Sequence, residues 1–175
     1  NKPIRVFYTP GSKYFYSGGA FQVLQQVITD TTKQKFNTYM NTKIINKLGM
    51  QDSIYEYPLK TSRFLARAVP GYDYNNKKIK GGWHNYMCSG ACGMWSTPTD
   101  LAKFVLNITS SYLGKKDGLI SKKLAKKLLT RQKNTDFGLG FVVSGKDNGL
   151  YFWKAGHNYG YHSLVLMFPN TGDGI

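Results

Sequence analysis

A serine hydroxyl becomes a nucleophile at neutral pH only with a base within hydrogen-bond reach, and G-x-S-x-G and S-x-x-K are common sequence traces of that arrangement. This chain has neither, and no serine, Ser12, Ser121 and Ser144 included, has a lysine three residues on. Thr32-x-x-Lys35 and Thr130-x-x-Lys133 keep the spacing but lie in or beside helical patterns with no other chemistry around them, and read as chance. His84, His157 and His162 are scattered, without the paired spacing of a zinc site. No metal and no cofactor is expected. Cys88 and Cys92 are too few for a disulfide scaffold, and C-x3-C lacks the second ligand pair of a structural zinc site. A local disulfide would suit an exported protein, but the plainer reading is two small apolar residues packed in a loop. A tyrosine, with an isolated pKa of about 10, needs nearby cations before it can act as a phenolate base.

Such side chains must be held by elements, and hydrophobic spacing predicts which. Ala20, Val23, Leu24, Val27 and Ile28 recur at i, i+3, i+4, i+7 and i+8, one face of a helix. Ser17 or Gly18 is its cap, which puts Tyr16 immediately before the first turn. Phe36, Tyr39, Met40 and Ile44 repeat the pattern, with Gly49 as the stop. Residues 50–95 read as irregular, punctuated by Pro58, Pro70-Gly71, Asn75-Asn76 and Gly81-Gly82; a loop this long is usually functional or poorly ordered. Thr97 then caps a helix with Pro98 at its first position, Asp100 near the positive end of the dipole, and Leu101, Phe104, Val105 and Ile108 as its buried stripe. A basic helix follows from about Ser121. After about residue 134 the period becomes that of strands: Phe137 to Ser144, Leu150 to Lys154 and Tyr161 to Phe168. Gly145-Lys146-Asp147-Asn148-Gly149 suits a hairpin, and Gly174-Ile175 begins a further strand. The expected class is α+β: residues 1–133 mostly helical with a long irregular segment, residues 134–175 antiparallel.

A hydrophobic fraction of 41% and an aromatic fraction of 15% over 175 residues exclude a disordered chain. No apolar run approaches the roughly 18–20 residues of a membrane span. A net charge of +15 raises polyanions as partners. Against nucleic acid, Lys122, Lys123, Lys126 and Lys127 alternate with Leu124, Ala125, Leu128 and Leu129 as the solvated face of an amphipathic helix. No nucleic-acid motif accompanies the charge, so no specific nucleic-acid binding is expected. The start at Asn1 carries neither a signal peptide nor an initiator Met, and both ends read as cuts inside a longer chain.

Five segments in order resemble one family. Pro10-Gly11-Ser12-Lys13-Tyr14-Phe15-Tyr16-Ser17-Gly18-Gly19-Ala20-Phe21 resembles the P-G-x-x-x-x-Y-S-[NG]-x-x-[YF] segment of class C β-lactamase-like hydrolases. Leu48-Gly49-Met50-Gln51-Asp52-Ser53 is similar to that family's L-G-M-x-[DN]-[ST] step, and Gly93 to Phe104 to its G-L-x-[ST]-T-x-x-D-L-x-x-F helix start. Phe137-Gly138-Leu139-Gly140-Phe141 matches Y-G-L-G-[WF], and Lys154-Ala155-Gly156 with Asn158 and Gly160-Tyr161 resembles the K-T-G or H-x-G box and the strand after it. Each is weak alone, but their order across nearly the whole chain makes a strong signal for the serine β-lactamase and penicillin-binding protein group, which includes D-Ala-D-Ala carboxypeptidases and related esterases.

The resemblance implies an antiparallel sheet flanked by helices, with the active site between the sheet and a mostly helical region. It implies that the Ser-x-x-Lys nucleophile precedes Asn1 in a missing amino-terminal segment, and that Tyr16 and Lys154 are catalytic. Gly18, Ala155, Gly156 and His157 would line the substrate, with the His157 backbone N–H as second oxyanion donor and Gly156 admitting close backbone approach. Two departures matter. Gly18 stands where the family often has Asn, and Ala155 replaces the Thr or Ser of the third box, which removes an amide and a hydroxyl from the site. Both suit an esterase or peptidase better than a dedicated antibiotic-degrading enzyme.

Substrates implied are a β-lactam, a D-Ala-D-Ala peptide or an ester, attacked through an acyl-enzyme in the periplasm or at the cell surface. The alternative is a non-catalytic module that binds cell-wall peptides or anionic polymers. The isolated 175 residues are expected to take up no fluorophosphonate probe. With unpaired sheet edges, they are also expected to unfold on heating without a sharp two-state transition; intact mass and calorimetry check the two outcomes.

Overall fold

The computed structural model describes residues 4–175, and its first helix begins where the Ser17 hydroxyl accepts the Ala20 N–H at 3.3 Å. That helix, α1, runs Gly18–Thr32. Its predicted apolar stripe is not its packed side: Val23, Leu24 and Val27 are about half exposed. The short helix at Ser89–Cys92 packs instead against the side bearing Phe21 and Gln25. Helix α2 spans Phe36–Met40 and continues into a π-helical turn at Asn41–Ile45. Gly49, at φ +63°, lies just beyond it, a conformation glycine adopts without strain.

Residues 50–95 hold more order than their punctuation suggests. Strand β1 (Ile54–Tyr55) is pinned by Asn41, whose side chain accepts the Tyr55 N–H at 2.8 Å and donates to the Tyr55 carbonyl at 3.0 Å. Helices α3 (Ser62–Leu65) and α4 (Ser89–Cys92) follow, and strand β2 (Met94–Trp95) pairs antiparallel with β1. Cys88 and Cys92 are therefore not loose loop residues. They bracket α4, one as its cap and the other as its last residue.

Helix α5 (Pro98–Leu113) starts on the Thr97 cap and stops at Gly114, φ +80°; Val105 and Ile108 of the expected stripe are fully buried. Helix α6 (Lys122–Leu128) buries Ala125 and exposes its four lysines, as the alternation predicts. The strands are β3 (Val142–Ser144), β4 (Tyr151–Asn158) and β5 (Tyr161–Met167), in the order β3-β4-β5 and all antiparallel. Two boundaries move. Residues 137–141 form a turn rather than strand, with Gly138 N–H bonded to the Phe141 carbonyl at 2.8 Å and Gly140 at φ +106°. Strand β4 runs on to Asn158, because Gly160 at φ +83° makes the tight turn that pairs Asn158 with Tyr161. Residues 173–175 do return along β5, Leu166 and Ile175 exchanging both backbone hydrogen bonds at 2.8 and 2.9 Å. Val105 and Ile108 of α5, Leu129 after α6, Phe141, Val143, Phe152 and Met167 form the core.

The Asp100 carboxylate joins α5 to the 50–55 segment. It is 1% exposed and accepts the Asp52 N–H at 2.7 Å, the Ser53 hydroxyl at 2.8 Å and the Lys103 ammonium at 2.8 Å. Burial pushes its pKa up, but the hydrogen bonds from Lys103, Ser53 and Asp52 and the Lys103 charge outweigh it, so the pKa lies below the ordinary 3.8. A lowered folded-state pKa stabilises in full above that ordinary value and loses the contribution as pH falls through the lowered one. Asp100→Ala, which strands buried donors, is expected to cost about 3 kcal/mol in urea unfolding of the full-length protein, and its stability loss at acid pH is expected to be shallower than that of the unmodified protein.

Candidate functional site

Side-chain alternation along β4 sorts the residues of the third box. The register from Phe152 to Asn158 is continuous, so Lys154, Gly156 and Asn158 share the face of the fully buried Phe152, while Ala155 and His157 point to the other. Lys154 thus emerges just past the edge of the core, on the helical side of the sheet. There its ammonium donates to the Tyr16 phenol oxygen at 3.0 Å. The two residues are 138 positions apart in sequence, and Tyr16 occupies the position directly before the α1 cap that the hydrophobic spacing assigns to it.

An aromatic shelf holds the pair. The Lys154 ammonium lies 4.4 Å from the Tyr16 ring centroid and 5.7 Å from that of Phe137. Phe137 in turn stacks on Tyr14 at 4.8 Å and leans on Tyr16 at 6.2 Å. Tyr16 remains 54% exposed. Burial, and then the neighbouring Tyr16, push the Tyr14 phenol up from 10.0, which keeps it a neutral packing partner. The phenol oxygen and the ammonium are thus within hydrogen-bond reach of one another, the distance at which a proton can pass between two groups.

Strand β3 pairs with β4 only as far as Trp153. From Lys154 to Asn158 the edge of β4 away from β5 has no strand partner among the described residues, and Ala155, Gly156 and His157 are exposed along it. Gly156 also answers a local demand, since a Cβ there would sit 2.7 Å from the hydroxyl of its cross-strand partner Ser163. The His157 and His162 rings meet at 4.2 Å. Gly18 opens α1 two residues after Tyr16, and a Cβ on it would meet nothing within 4 Å. The structure therefore brings Tyr16 and Lys154 together, strings Ala155, Gly156 and His157 along the adjoining edge, and leaves Gly18 in open space near them.

Sequence reasoning missed three contributors. Phe137 was visible inside its F-G-L-G-F segment, but only as a motif and not as the floor under Lys154. Tyr14 carried no signal. Helix α4 carried none either, yet it ties the two halves of the site: Asn158 Nδ2 donates to the Cys92 carbonyl at 3.1 Å, and the Gly90 N–H donates to Gln25 of α1 at 2.7 Å. The site is an open surface, and clefts lined by Asn41, Ser53 and Arg63, or by Tyr112, Arg131 and Lys146, lie away from it. Among the described residues no three His, Cys, Asp or Glu side chains gather as a metal site, and no helix is long and apolar enough to cross a membrane.

The Beta-lactamase family model matches residues 3–175. A teichoic acid D-alanine hydrolase of Staphylococcus aureus is 28% identical over 144 residues, covering 79% of this chain and 34% of that protein. The chain thus spans about a third of the length of that relative. Among solved structures, a D-alanine carboxypeptidase of Burkholderia cenocepacia superposes with a TM-score of 0.80 at 17% identity, over 98% of this chain and 57% of that one. A penicillin-binding protein from Bacillus halodurans gives 0.76 at 20% identity, over 95% and 51%. At such identities these two likenesses speak for the fold, which is the β-lactamase/transpeptidase-like α+β fold.

Proposed function

The chain belongs to the β-lactamase family of hydrolases, and from that premise we propose that it is the carboxy-terminal part of a cell-surface or periplasmic serine hydrolase that removes D-alanyl groups, held as esters or amides, through an acyl-enzyme. The observation that carries this reading is the 3.0 Å contact between Lys154 and Tyr16. It joins the start of a helix to the edge of a sheet, where an exposed phenol, a cation and a strand edge unpartnered among the described residues meet.

In the proposed reaction the nucleophilic serine comes from a Ser-x-x-Lys segment upstream of Asn1. Tyr16, held by the Lys154 ammonium, acts as the base that takes the serine proton as the oxygen attacks the substrate carbonyl. The oxyanion that forms is met by the serine's own N–H and by the His157 N–H on the β4 edge. Collapse expels the alcohol or amine, which receives the proton from Tyr16, and water then hydrolyses the acyl-enzyme by the same route. Gly156 and Ala155 keep the edge low enough for a substrate backbone to lie along it. With Gly18 and Ala155 offering neither amide nor hydroxyl, ester or peptide substrates are favoured over β-lactams.

The name of the Staphylococcus aureus relative supports a D-alanyl substrate on an anionic cell-wall polymer, and a net charge of +15 suits a polyanion. In the full-length protein Tyr16→Phe is expected to lower kcat for a D-alanyl ester by about 10²- to 10⁴-fold, the usual worth of a general base. Lys154→Ala should lower it as well. A stopped-flow or endpoint assay of D-alanine release checks both, and an unchanged kcat for Tyr16→Phe removes that residue from the mechanism.

A further inference from the structure

We propose that Cys88 and Cys92 are a thiol–disulfide pair that closes across α4 and locks the small element tying the Tyr16 helix to the Lys154 strand. The closure is independent of any hydrolytic activity, so it can be tested apart from the proposed function. Four observations carry it. The two sulfurs lie 2.7 Å apart, close to the bond length of about 2.05 Å. They lie on one turn, the Cys92 N–H bonding to the Cys88 carbonyl at 3.0 Å. Both are free and half-buried rather than enclosed in the core. Finally, α4 is only four residues long, too short to persist by its own hydrogen bonds, yet its neighbours leave it little freedom.

That last point sets the consequence. The Cys92 carbonyl receives the Asn158 amide and the Gly90 N–H reaches Gln25. A Cβ at Gly90 would lie 2.9 Å from the Phe21 carbonyl oxygen, so α4 sits directly on α1. A covalent bond between the two ends of α4 therefore holds both contacts in one geometry.

The chemistry is ordinary thiol–disulfide exchange with a small-molecule disulfide of the glutathione class. Burial, then the hydrogen bond and charge of Cys88, push the Cys92 thiol up to about 12; Cys92 keeps its proton, and Cys88 is the sulfur that meets the oxidant. As thiolate, Cys88 attacks one sulfur of the external disulfide, forming a mixed disulfide and releasing one thiolate. Cys92 then gives up its proton and attacks the Cys88 Sγ, releasing the second. The two protons end on the two released thiols. The protein loses two electrons and the external disulfide gains them.

The test uses the full-length protein equilibrated over a range of reduced to oxidised glutathione, quenched with iodoacetamide and digested with trypsin. Residues 81–103 form one tryptic peptide with no internal Lys or Arg, and it contains both cysteines. Expected is a peptide two hydrogens lighter and without adducts at oxidising ratios, and one with two adducts at reducing ratios. The melting temperature of the oxidised protein should fall by a few degrees on adding reductant, while Cys88→Ser and Cys92→Ser melt at the same temperature with or without it. Two adducts at every ratio, a glutathione held on either cysteine at equilibrium, or a cross-link from this peptide to another cysteine would each overturn the pair. An oxidised peptide whose protein melts identically with and without reductant would overturn the lock.

Discussion

The contact between the Lys154 ammonium and the Tyr16 phenol is the constraint around which the molecule is arranged, and it is too weak to hold itself. Exposed charged contacts contribute roughly 0–1 kcal/mol, and a cation over an exposed ring about 0.5–1 kcal/mol. The geometry must be imposed by stronger terms on either side. On the strand side that term is Phe152, fully buried two residues before Lys154; burying such a side chain contributes about 1.5–3 kcal/mol. Because side chains alternate along a strand, fixing Phe152 in the core fixes which way Lys154 points. A one-residue slip of β4 would turn Lys154 to the opposite face and abolish the contact.

On the helix side the arrangement is lighter. Helix α1 has no fully buried residue and is placed by its cap, by the aromatic shelf of Phe137 and Tyr14, and by α4. That four-residue helix carries a large share of the positioning, since its carbonyl and amide groups reach both β4 and α1. It is in turn carried by β2, which follows it directly and pairs with β1. The buried Asp100 carboxylate then ties the start of α5 to residues 52 and 53, just before β1. A chain of short elements thus connects the core of α5 and the sheet to the phenol oxygen.

The same arrangement explains why the site is open. Among the described residues the β4 edge beyond Trp153 has no strand partner because β3 is only three residues long, and β3 is short because Gly138 and Gly140 turn the chain back before it can extend. The turn that cuts β3 short also delivers Phe137 to the shelf under Lys154. One feature of the sequence, the F-G-L-G-F segment, therefore both frees the edge and supports the cation beside it.

Sequence by itself determined what depends on local chemistry. Thr97 as a cap, a first helix beginning at Ser17 or Gly18, Gly49 as a stop, the solvated lysine face of α6 and the strand period after residue 134 all follow from neighbours a few residues away, where side-chain and backbone preferences act directly. The ordered motifs also singled out Tyr16 and Lys154. The tertiary structure alone decided the rest. Which side of α1 is packed, the order within residues 50–95, the role of Asp100 beneath Ser53, and Phe137 as the floor of the site depend on partners tens of residues away. So does the close approach of the Cys88 and Cys92 sulfurs, on an element held between α1 and β4. Short helices and two-residue strands have too little internal hydrogen bonding to be written in local propensity; they form where packing places them, and so does the site they connect.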